Sequence, residues 1–209
     1  MNRQCYTRPN KPMITAKPVI NITTPDLTST SLPRLVEVDR ATQCHVTPPP
    51  VAARMVEYLD YQPATIDTAG QTVIEPQAGT GNLINALLQA GVLSGYILGI
   101  EKHCKLVNEI TNRFSDDHRL LKIHQGDCLT ADFDFCMGEY DRAISNPPFE
   151  NVAAHVQRVY DFLKPGGVAV CLVPVTYKKL DHEVLENLPG DTFASCTVYT
   201  KIIRLTKPE

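Results

Sequence analysis

The sequence predicts an α/β fold in which a mostly parallel sheet of seven strands is covered by helices on both faces. From residue 72 onward, short apolar runs of strand length alternate with segments that repeat apolar residues at helical spacing. Such alternation is typical of parallel sheets, whose strands are joined by crossover helices. Two strand-like runs close to the C-terminus have little sequence between them, which predicts an antiparallel hairpin at one edge of the sheet.

The individual elements follow from periodicity. Val51, Met55 and Leu59 share one helical face, and Thr47 is a candidate N-cap with prolines in the first turn. The predicted helices are 51–59, 82–89, 104–114 and a segment marked by Val152, Val156, Val159, Tyr160 and Leu163. The predicted strands are 72–75, 96–100, 120–124, 141–145, 168–173, 193–199 and 202–206.

Composition is ordinary for a soluble globular protein, with 43% hydrophobic and 21% charged residues among 209. No apolar run is long enough for a membrane span, and no apolar stretch follows the N-terminal basic residues. The seven cysteines are odd in number and include no C-x-x-C pair, and the six histidines show no ligand spacing. We therefore expect no metal site, no disulfide framework and a reducing cytoplasm.

Charge is unevenly distributed along the chain. Residues 1–40 hold six Lys and Arg against three acids, whereas the whole chain has a net charge of -3. We interpret 1–40 as an irregular basic arm and 41–209 as the catalytic domain. Such an arm either contacts phosphates or is a solvated tail.

Four successive predicted strands each end in one polar side chain: Glu75, Glu101, Asp127 and Asn146. In open parallel sheets, ligands bind beyond the carboxyl ends of the strands, where the strand order reverses. These side chains therefore predict a pocket at that edge. Taken singly, Glu101 is also compatible with a solvated strand end, and Asp127 with a Gly-Asp turn.

The segment after the first strand is a glycine turn, Glu75-Pro76-Gln77-Ala78-Gly79-Thr80-Gly81. Glycines at 79 and 81 permit a tight turn and a close approach of a ligand to the backbone. A G-x-G pair alone also fits an ordinary strand-to-helix turn. A carboxylate at Glu101 could accept hydrogen bonds from two ribose hydroxyls, and Asp127 could accept from an adenine amino group.

The most informative motif is Asn146-Pro147-Pro148-Phe149, directly after the strand at 141–145. Asn146 supplies an amide oxygen, the prolines supply carbonyls without an N–H group, and Phe149 supplies an aromatic face. Acceptors beside a flat apolar surface suit a planar group that bears an NH2, such as a nucleobase or a side-chain amide. The alternative is an ordinary Asn-Pro turn.

Together these segments resemble the class I S-adenosylmethionine-dependent methyltransferases, and more narrowly the amino-methyltransferases that modify adenine in DNA. The likeness covers about residues 41–207 and implies a Rossmann-like fold with S-adenosylmethionine as the cofactor. The 47–52 segment is similar to the one that precedes the glycine loop in a circularly permuted subgroup. Residues 75–81 are similar to the cofactor loop, and 146–149 are similar to the catalytic motif.

The resemblance also implies roles for particular residues. Asn146 and the Pro147 carbonyl would accept the two amino protons of the substrate, and Phe149 would stack on its ring. The implied catalytic residues are Asn146, Pro147, Pro148 and Phe149. The implied cofactor-binding residues are Thr47, Pro48, Glu75, Pro76, Ala78, Gly79, Thr80, Gly81, Glu101, Lys102, Asp127, Cys128 and Asn146.

Within the cofactor site, the resemblance assigns a different part of the cofactor to each segment. Thr47 and the glycine loop would hold the methionine portion, Glu101 would hold the ribose, and Asp127 with Cys128 would hold the adenine.

The leading hypothesis is methylation of adenine in DNA, in the cytoplasm of a bacterial or phage-infected cell. Permuted DNA methyltransferases carry a target-recognition region after the core, whereas this chain ends at Glu209. Either specificity is low, or the 1–40 arm and a partner subunit supply recognition of the nucleic acid, or the substrate is not duplex DNA. The alternatives are the same chemistry on RNA or on a protein glutamine, and a non-catalytic scaffold subunit.

Overall fold

A computed structural model describes residues 19–24, 34–39, 46–65, 68–115, 118–193 and 197–209. The helices are α1 Pro49–Glu57, α2 Asn82–Gln89, α3 Cys104–Phe114 and α4 Val152–Phe162. The strands are β1 Val19–Thr24, β2 Arg34–Asp39, β3 Val73–Glu75, β4 Ile97–Glu101, β5 Lys122–Gln125, β6 Tyr140–Ser145, β7 Leu163–Pro174, β8 Glu183–Leu188 and β9 Thr200–Thr206.

Seven of the strands form one mixed sheet in the order β5-β4-β3-β6-β7-β9-β8. Strands β3 to β7 are parallel, and β9 runs antiparallel between β7 and β8. The chain winds outward from β3 to β5 and then returns to β6 on the other side of β3. The strand order therefore reverses between β3 and β6, where open α/β sheets bind their ligands. This topology confirms the predicted Rossmann-like class I fold.

The core lies on both faces of the sheet. Buried residues of α1, α2 and α3 pack on one face, whereas α4 packs on the other. Neighbouring strand residues alternate between the two faces, as in Val73 and Ile74 of β3 or Leu172 and Val173 of β7. Because both faces are covered, every residue of the inner strands β3 and β4 is buried.

The C-terminal prediction was wrong in position. The predicted strand at 193–199 is absent from its described residues, and β8 at Glu183–Leu188 pairs with β9 instead. Five of the six β8 residues are exposed or partly buried and two are glutamates, because β8 is an edge strand. An antiparallel pair at the sheet edge was nevertheless correctly expected.

Three smaller expectations also differ from the structure. Strands β1 and β2 pair antiparallel within the 1–40 segment, which the sequence predicts to be irregular. Leu163, which the sequence assigned to the fourth helix, is instead the first residue of β7. Helix α4 ends at Phe162, because Leu163 already pairs with Tyr140 of β6. The N-cap of α1 is Pro48 without a side-chain bond, since the Thr47 side chain is used elsewhere.

Candidate active site

The carboxyl ends of β3, β4 and β6 and the turn after β5 surround one cavity of about 260 Å³. Twelve of the residues expected from the sequence line this cavity: Thr47, Glu75, Pro76, Ala78, Gly79, Thr80, Glu101, Lys102, Asp127, Cys128, Asn146 and Pro148. They come from five separate segments, and the parallel sheet brings them together because all its strands end at one edge.

Four expected site residues lie outside the cavity lining: Pro48, Gly81, Pro147 and Phe149. Pro48 and Gly81 are the N-caps of α1 and α2, and Pro147 is buried. The Phe149 ring packs edge-on against Phe193 at a centroid distance of 6.1 Å. Phe149 is also packed against the hydrophobic core rather than lining the cavity.

Glu101 connects the end of β4 to the glycine loop. One of its carboxylate oxygens accepts from the Gly79 N–H at 2.8 Å, and the other accepts from the His103 N–H at 2.8 Å. Burial raises the pKa of Glu101, although these backbone donors oppose the shift. Each carboxylate oxygen retains a second lone pair, so the group can still accept from a ligand in the cavity.

Glu75 is the more unusual carboxylate because it is only 1% exposed. Its Oε2 atom has no hydrogen-bond partner among the described residues. Burial and the neighbouring Glu101 charge raise its pKa well above the ordinary value. A buried acceptor at the rim of a cavity is costly unless a ligand donor meets it.

Lys102 and Asp127 form the opposite rim, where Lys102 Nζ lies 2.9 Å from Asp127 Oδ2. The second Asp127 oxygen accepts from the Leu129 N–H at 3.0 Å. Burial alone would raise the pKa of Asp127, but the Leu129 and Lys102 hydrogen bonds hold it below its ordinary value. Asp127 is therefore ionised at neutral pH and can act as an acceptor.

The catalytic motif is tied to the segment before α1. The Asn146 amide nitrogen donates to the Thr47 hydroxyl at 3.0 Å, which assigns the acceptor role to Asn146 Oδ1. The Thr47 carbonyl in turn accepts from Asn82 Nδ2 at 2.9 Å. Arg113 then reaches both the Asn82 amide oxygen and the Thr80 carbonyl. One hydrogen-bonded chain thus links the catalytic motif to the glycine loop.

Gln77 and His155 are site residues that the sequence analysis missed. Gln77 Nε2 lies 3.0 Å from Cys128 Sγ and 3.3 Å from His155 Nδ1, and Gln77 Oε1 accepts from the Ser145 hydroxyl. Burial raises the pKa of Cys128 to about 12 and lowers that of His155. The thiol is therefore protonated and the imidazole neutral, which suits a structural bridge across the sheet edge.

A sequence signal for His155 did exist. It lies three residues after Val152 and one before Val156, on the face of α4 that the apolar periodicity turns inward. The other lining residues outside the expected set are Val46, Asn82, Leu83, His103, Leu106, Gly126, Glu150 and Asn151. Most of them are neighbours in sequence of residues that were expected.

Two searches of the described residues were negative. No group of three or more His, Cys, Asp or Glu side chains is arranged there to hold a metal ion. No helix in the described ranges combines the length and apolarity needed to cross a bilayer.

Comparison with solved structures shows the fold. A type I restriction-modification methyltransferase subunit of Streptococcus thermophilus gives a TM-score of 0.63 at 18% identity, over 79% of this chain and 45% of that one. A dimethyladenosine transferase of Plasmodium falciparum gives 0.60 at 17%, over 79% and 63%. An RNA methyltransferase of Salinibacter ruber in complex with S-adenosyl-L-homocysteine gives 0.56 at 21%, over 78% and 94%.

The chain spans less than two thirds of the length of the first two of these proteins. No protein-family model matches it. No curated protein matches it either. At these identities the likeness establishes a class I methyltransferase fold, and the chemistry has to be derived from the site itself.

Proposed function

We propose that this protein transfers a methyl group from S-adenosylmethionine to the exocyclic amino group of adenine in DNA. One observation carries the proposal. Asn146 and Pro148 of the motif line a cavity whose other walls are the glycine loop, Glu101 and Asp127. A cofactor in that cavity would therefore be bordered directly by the hydrogen-bond acceptors of the motif.

The residues of the cavity fit such a cofactor. Glu101 and Asp127 supply acceptors at the ends of two neighbouring strands, which suit the ribose hydroxyls and the adenine amino group. Glu75, with its unpartnered Oε2, suits a cationic or N–H donor group. When bound, S-adenosylmethionine supplies an activated methyl group on a sulfonium, so the contribution of the protein is orientation and electrostatics.

The acceptor motif accounts for the chemistry of the transfer. The lone pair of an amino group on a planar ring is delocalised, which makes it a poor nucleophile. Asn146 Oδ1 and the Pro147 carbonyl accept its two protons, draw the group toward tetrahedral geometry and localise that pair. The same oxygens stabilise the positive charge that develops during transfer. No ionised cysteine or histidine is required, in keeping with the protonated Cys128.

Two lines of support favour a nucleic acid as the substrate. The proteins with similar folds include a restriction-modification methyltransferase subunit and an RNA methyltransferase. The residues at 146–149 resemble those of adenine methyltransferases acting on DNA. A base within a duplex must be flipped out to reach this rim, at a cost of a few kcal/mol. Sequence recognition is proposed to come from the 1–40 arm or a partner subunit.

The decisive experiment measures transfer of a labelled methyl group to DNA, RNA and protein substrates. We expect labelled methyladenine in DNA that survives ribonuclease and protease treatment. Asn146→Ala should lower the rate about 10²- to 10³-fold, as for loss of one transition-state acceptor or donor, while cofactor binding persists. Asn187→Ala on β8 is the matched control, because Asn187 is exposed and outside the cavity.

Each outcome of this experiment is informative. Transfer only to RNA or only to protein would replace DNA as the substrate and retain the chemistry. An Asn146→Ala variant that is as fast as the parent would overturn the assigned role of the motif. Cofactor binding without transfer to any substrate would favour a scaffold subunit.

A further inference from the structure

Beyond the cavity, the carboxyl edge of the sheet carries an exposed surface made of Val175, Lys178, Lys179 and Tyr199, which we call the β7-loop surface. Tyr199 is 65% exposed and Val175 is 42% exposed, although both are large and apolar or aromatic. Lys178 and Lys179, three and four positions after Val175 in the chain, are also exposed. Within the described part of the chain, neither lysine forms an ion pair. Exposed rings next to unpaired cations are typical of a binding surface.

The register of the sheet places this surface next to the catalytic motif. Ser145, which precedes Asn146, pairs with Cys171 of β7. Strand β7 continues three residues beyond Cys171 to Pro174, a rise of about 10 Å along the strand. Pro174 pairs with Thr200 of β9. Tyr199 precedes Thr200, and its carbonyl accepts from the Val175 N–H at 3.1 Å. The surface therefore rises above the motif on the adjacent strands.

The β8–β9 connection joins the two regions physically. Phe193, in that connection, packs against the Phe149 ring of the motif. A Cβ atom added to Gly190 would lie 3.3 Å from ring atoms of Tyr199, so the Tyr199 ring rests on the same connection. The motif and the β7-loop surface thus both contact residues of the β8–β9 connection.

The loop that carries the two lysines is held by a buried cation. Lys201 is 7% exposed, and its Nζ donates to the Tyr177 carbonyl at 2.9 Å and contacts His182 Nε2 at 3.0 Å. His182 Nδ1 lies 2.6 Å from the Leu180 carbonyl, which makes it the donor there and leaves Nε2 as an acceptor for Lys201. The contacts of Lys201 therefore hold the loop from Tyr177 to His182 in place, while Lys178 and Lys179 of this loop remain exposed.

We propose that the β7-loop surface binds the unpaired nucleotides that flank the target amine. Tyr199 stacks on a base that flanks the target amine. Lys178 and Lys179 neutralise neighbouring phosphates. This inference rests on the proposed function, and it identifies the substrate class as a single-stranded or locally opened stretch of nucleic acid.

Charge and exposure support nucleic acid over an acidic peptide as the occupant. The acids nearest in sequence to the lysines are Asp181 and Glu183, both exposed, and Arg204 lies 3.7 Å from Glu183. The loop from Tyr177 to His182 thus carries two exposed lysines against one exposed acid, Asp181. The exposed Tyr199 ring can stack on any base, whereas an acidic peptide gains only the charge attraction.

The test measures binding of labelled single-stranded DNA and RNA oligonucleotides by the full chain across a salt series. Tyr199→Ala should weaken binding roughly 5- to 150-fold, the usual effect of removing one stacking ring. Tyr199→Phe should bind like the parent. The Lys178→Ala/Lys179→Ala double variant should reduce the slope of log K against log salt by about 1.4. The DNA and RNA arms show which strand is preferred.

Matched controls lie at the opposite end of the sheet. Phe135→Ala removes a ring that is 62% exposed near β5, and Arg119→Ala/Lys122→Ala removes two exposed cations there. These variants should leave affinity and salt slope unchanged. Thermal unfolding and cofactor binding of every variant confirm that the fold persists.

Failures of the two proposals are distinguishable. If the parent methylates nucleic acid and the β7-loop variants bind and react like the parent, this inference fails alone. If the parent transfers no methyl group to any nucleic acid, the proposed function fails. Equal losses in the surface variants and in the distal controls would also overturn the inference, because they would indicate non-specific charge attraction.

Discussion

Thr47 and Asn146 are 99 positions apart, yet the Asn146 amide nitrogen donates to the Thr47 hydroxyl over 3.0 Å. At the scale of the residue, such bonds decide what each side chain can do. An amide group whose nitrogen is already engaged presents a defined oxygen, whereas an unconstrained amide can rotate by half a turn. The amide proposed as the catalytic acceptor is thus oriented by a residue from a distant segment.

Replacing this hydroxyl provides a direct test of orientation. We expect Thr47→Val to slow methyl transfer about 2- to 13-fold, the rate equivalent of one neutral hydrogen bond of about 0.5 to 1.5 kcal/mol. Thr47→Ser keeps the hydroxyl and should retain most of the rate. The measurement is kcat at saturating substrate for both variants. Equal rates in Thr47→Val and the parent would contradict the orienting role.

Glu75 has a different kind of effect, because its raised pKa couples stability to pH. The folded protein binds the Glu75 proton more tightly than the unfolded chain, whose pKa is near the ordinary 4.5. Glu75 therefore contributes fully to the free energy of unfolding below pH 4.5. This contribution is lost as the pH rises through the higher pKa of Glu75 in the folded protein. Ionised Asp127 acts in the opposite direction, so only a difference between variants isolates Glu75.

We expect Glu75→Gln to become progressively more stable relative to the parent as pH rises from about 4.5. The difference in free energy of unfolding should grow by at most about 1.4 kcal/mol per pH unit, the limit for one proton. Urea denaturation without cofactor over this range measures it. A flat Glu75→Gln difference would mean that the carboxyl ionises normally.

At the scale of the element, the glycine loop shows how backbone conformation makes a site. Gly79 and Gly81 have φ angles of 56° and 80°, in the left-handed region that glycine favours. Gly81 caps α2, and an added Cβ atom there would lie 3.0 Å from the Phe114 ring. The turn is therefore tight for two independent reasons, backbone conformation and contact with α3.

The two reasons can be separated with a second glycine. Gly91 has a φ angle of 89° but no atom within 4 Å of an added Cβ. Gly91→Ala should lower the free energy of unfolding by about 1 to 2 kcal/mol, the left-handed penalty alone. Gly81→Ala should cost more, since Phe114 must also shift. Denaturant unfolding of both variants gives the comparison, and equal losses would exclude the packing contribution.

At the scale of the whole molecule, hydrogen bonds to α1 join distant parts of the chain. Arg54 of α1 contacts both carboxylate oxygens of Glu186 in β8, at 2.9 and 3.0 Å. Arg204 of β9 donates to the Tyr58 carbonyl and Arg142 of β6 donates to the Leu59 carbonyl, which satisfies carbonyls just after the helix. The first helix of the domain is thereby fastened to the sheet and its edge strand.

A double-mutant cycle of Arg54→Lys and Glu186→Gln should give a coupling energy below about 1 kcal/mol. The geometry is bidentate, but the two side chains are 37% and 27% exposed, so solvent screens the pair. Raising the salt to about 1 M, where the screening length is about 3 Å, should reduce the coupling further. Urea denaturation at two salt concentrations measures it. A salt-independent coupling would indicate that packing dominates.

Much of the fold could be predicted because its signals are local. The helical spacing of Leu106, Ile110 and Phe114 predicted α3 from Cys104 to Phe114, as observed. The apolar run at 168–173 located the central part of β7. Strand β8 was missed because an edge strand needs few apolar residues, and its Glu186 is held by Arg54 from another element. No sequence pattern within 183–188 reports that contact.

The sequence by itself determined the order of the elements from α1 to β7, the glycine turn and the Asn146–Phe149 segment, since each depends on residues that are neighbours in the chain. Only the tertiary structure decided that Gln77 meets Cys128, Ser145 and His155, and that Phe149 packs on Phe193. The reason is physical: parallel strands place their carboxyl ends at one edge through long crossovers, so contacts at that edge join residues tens of positions apart.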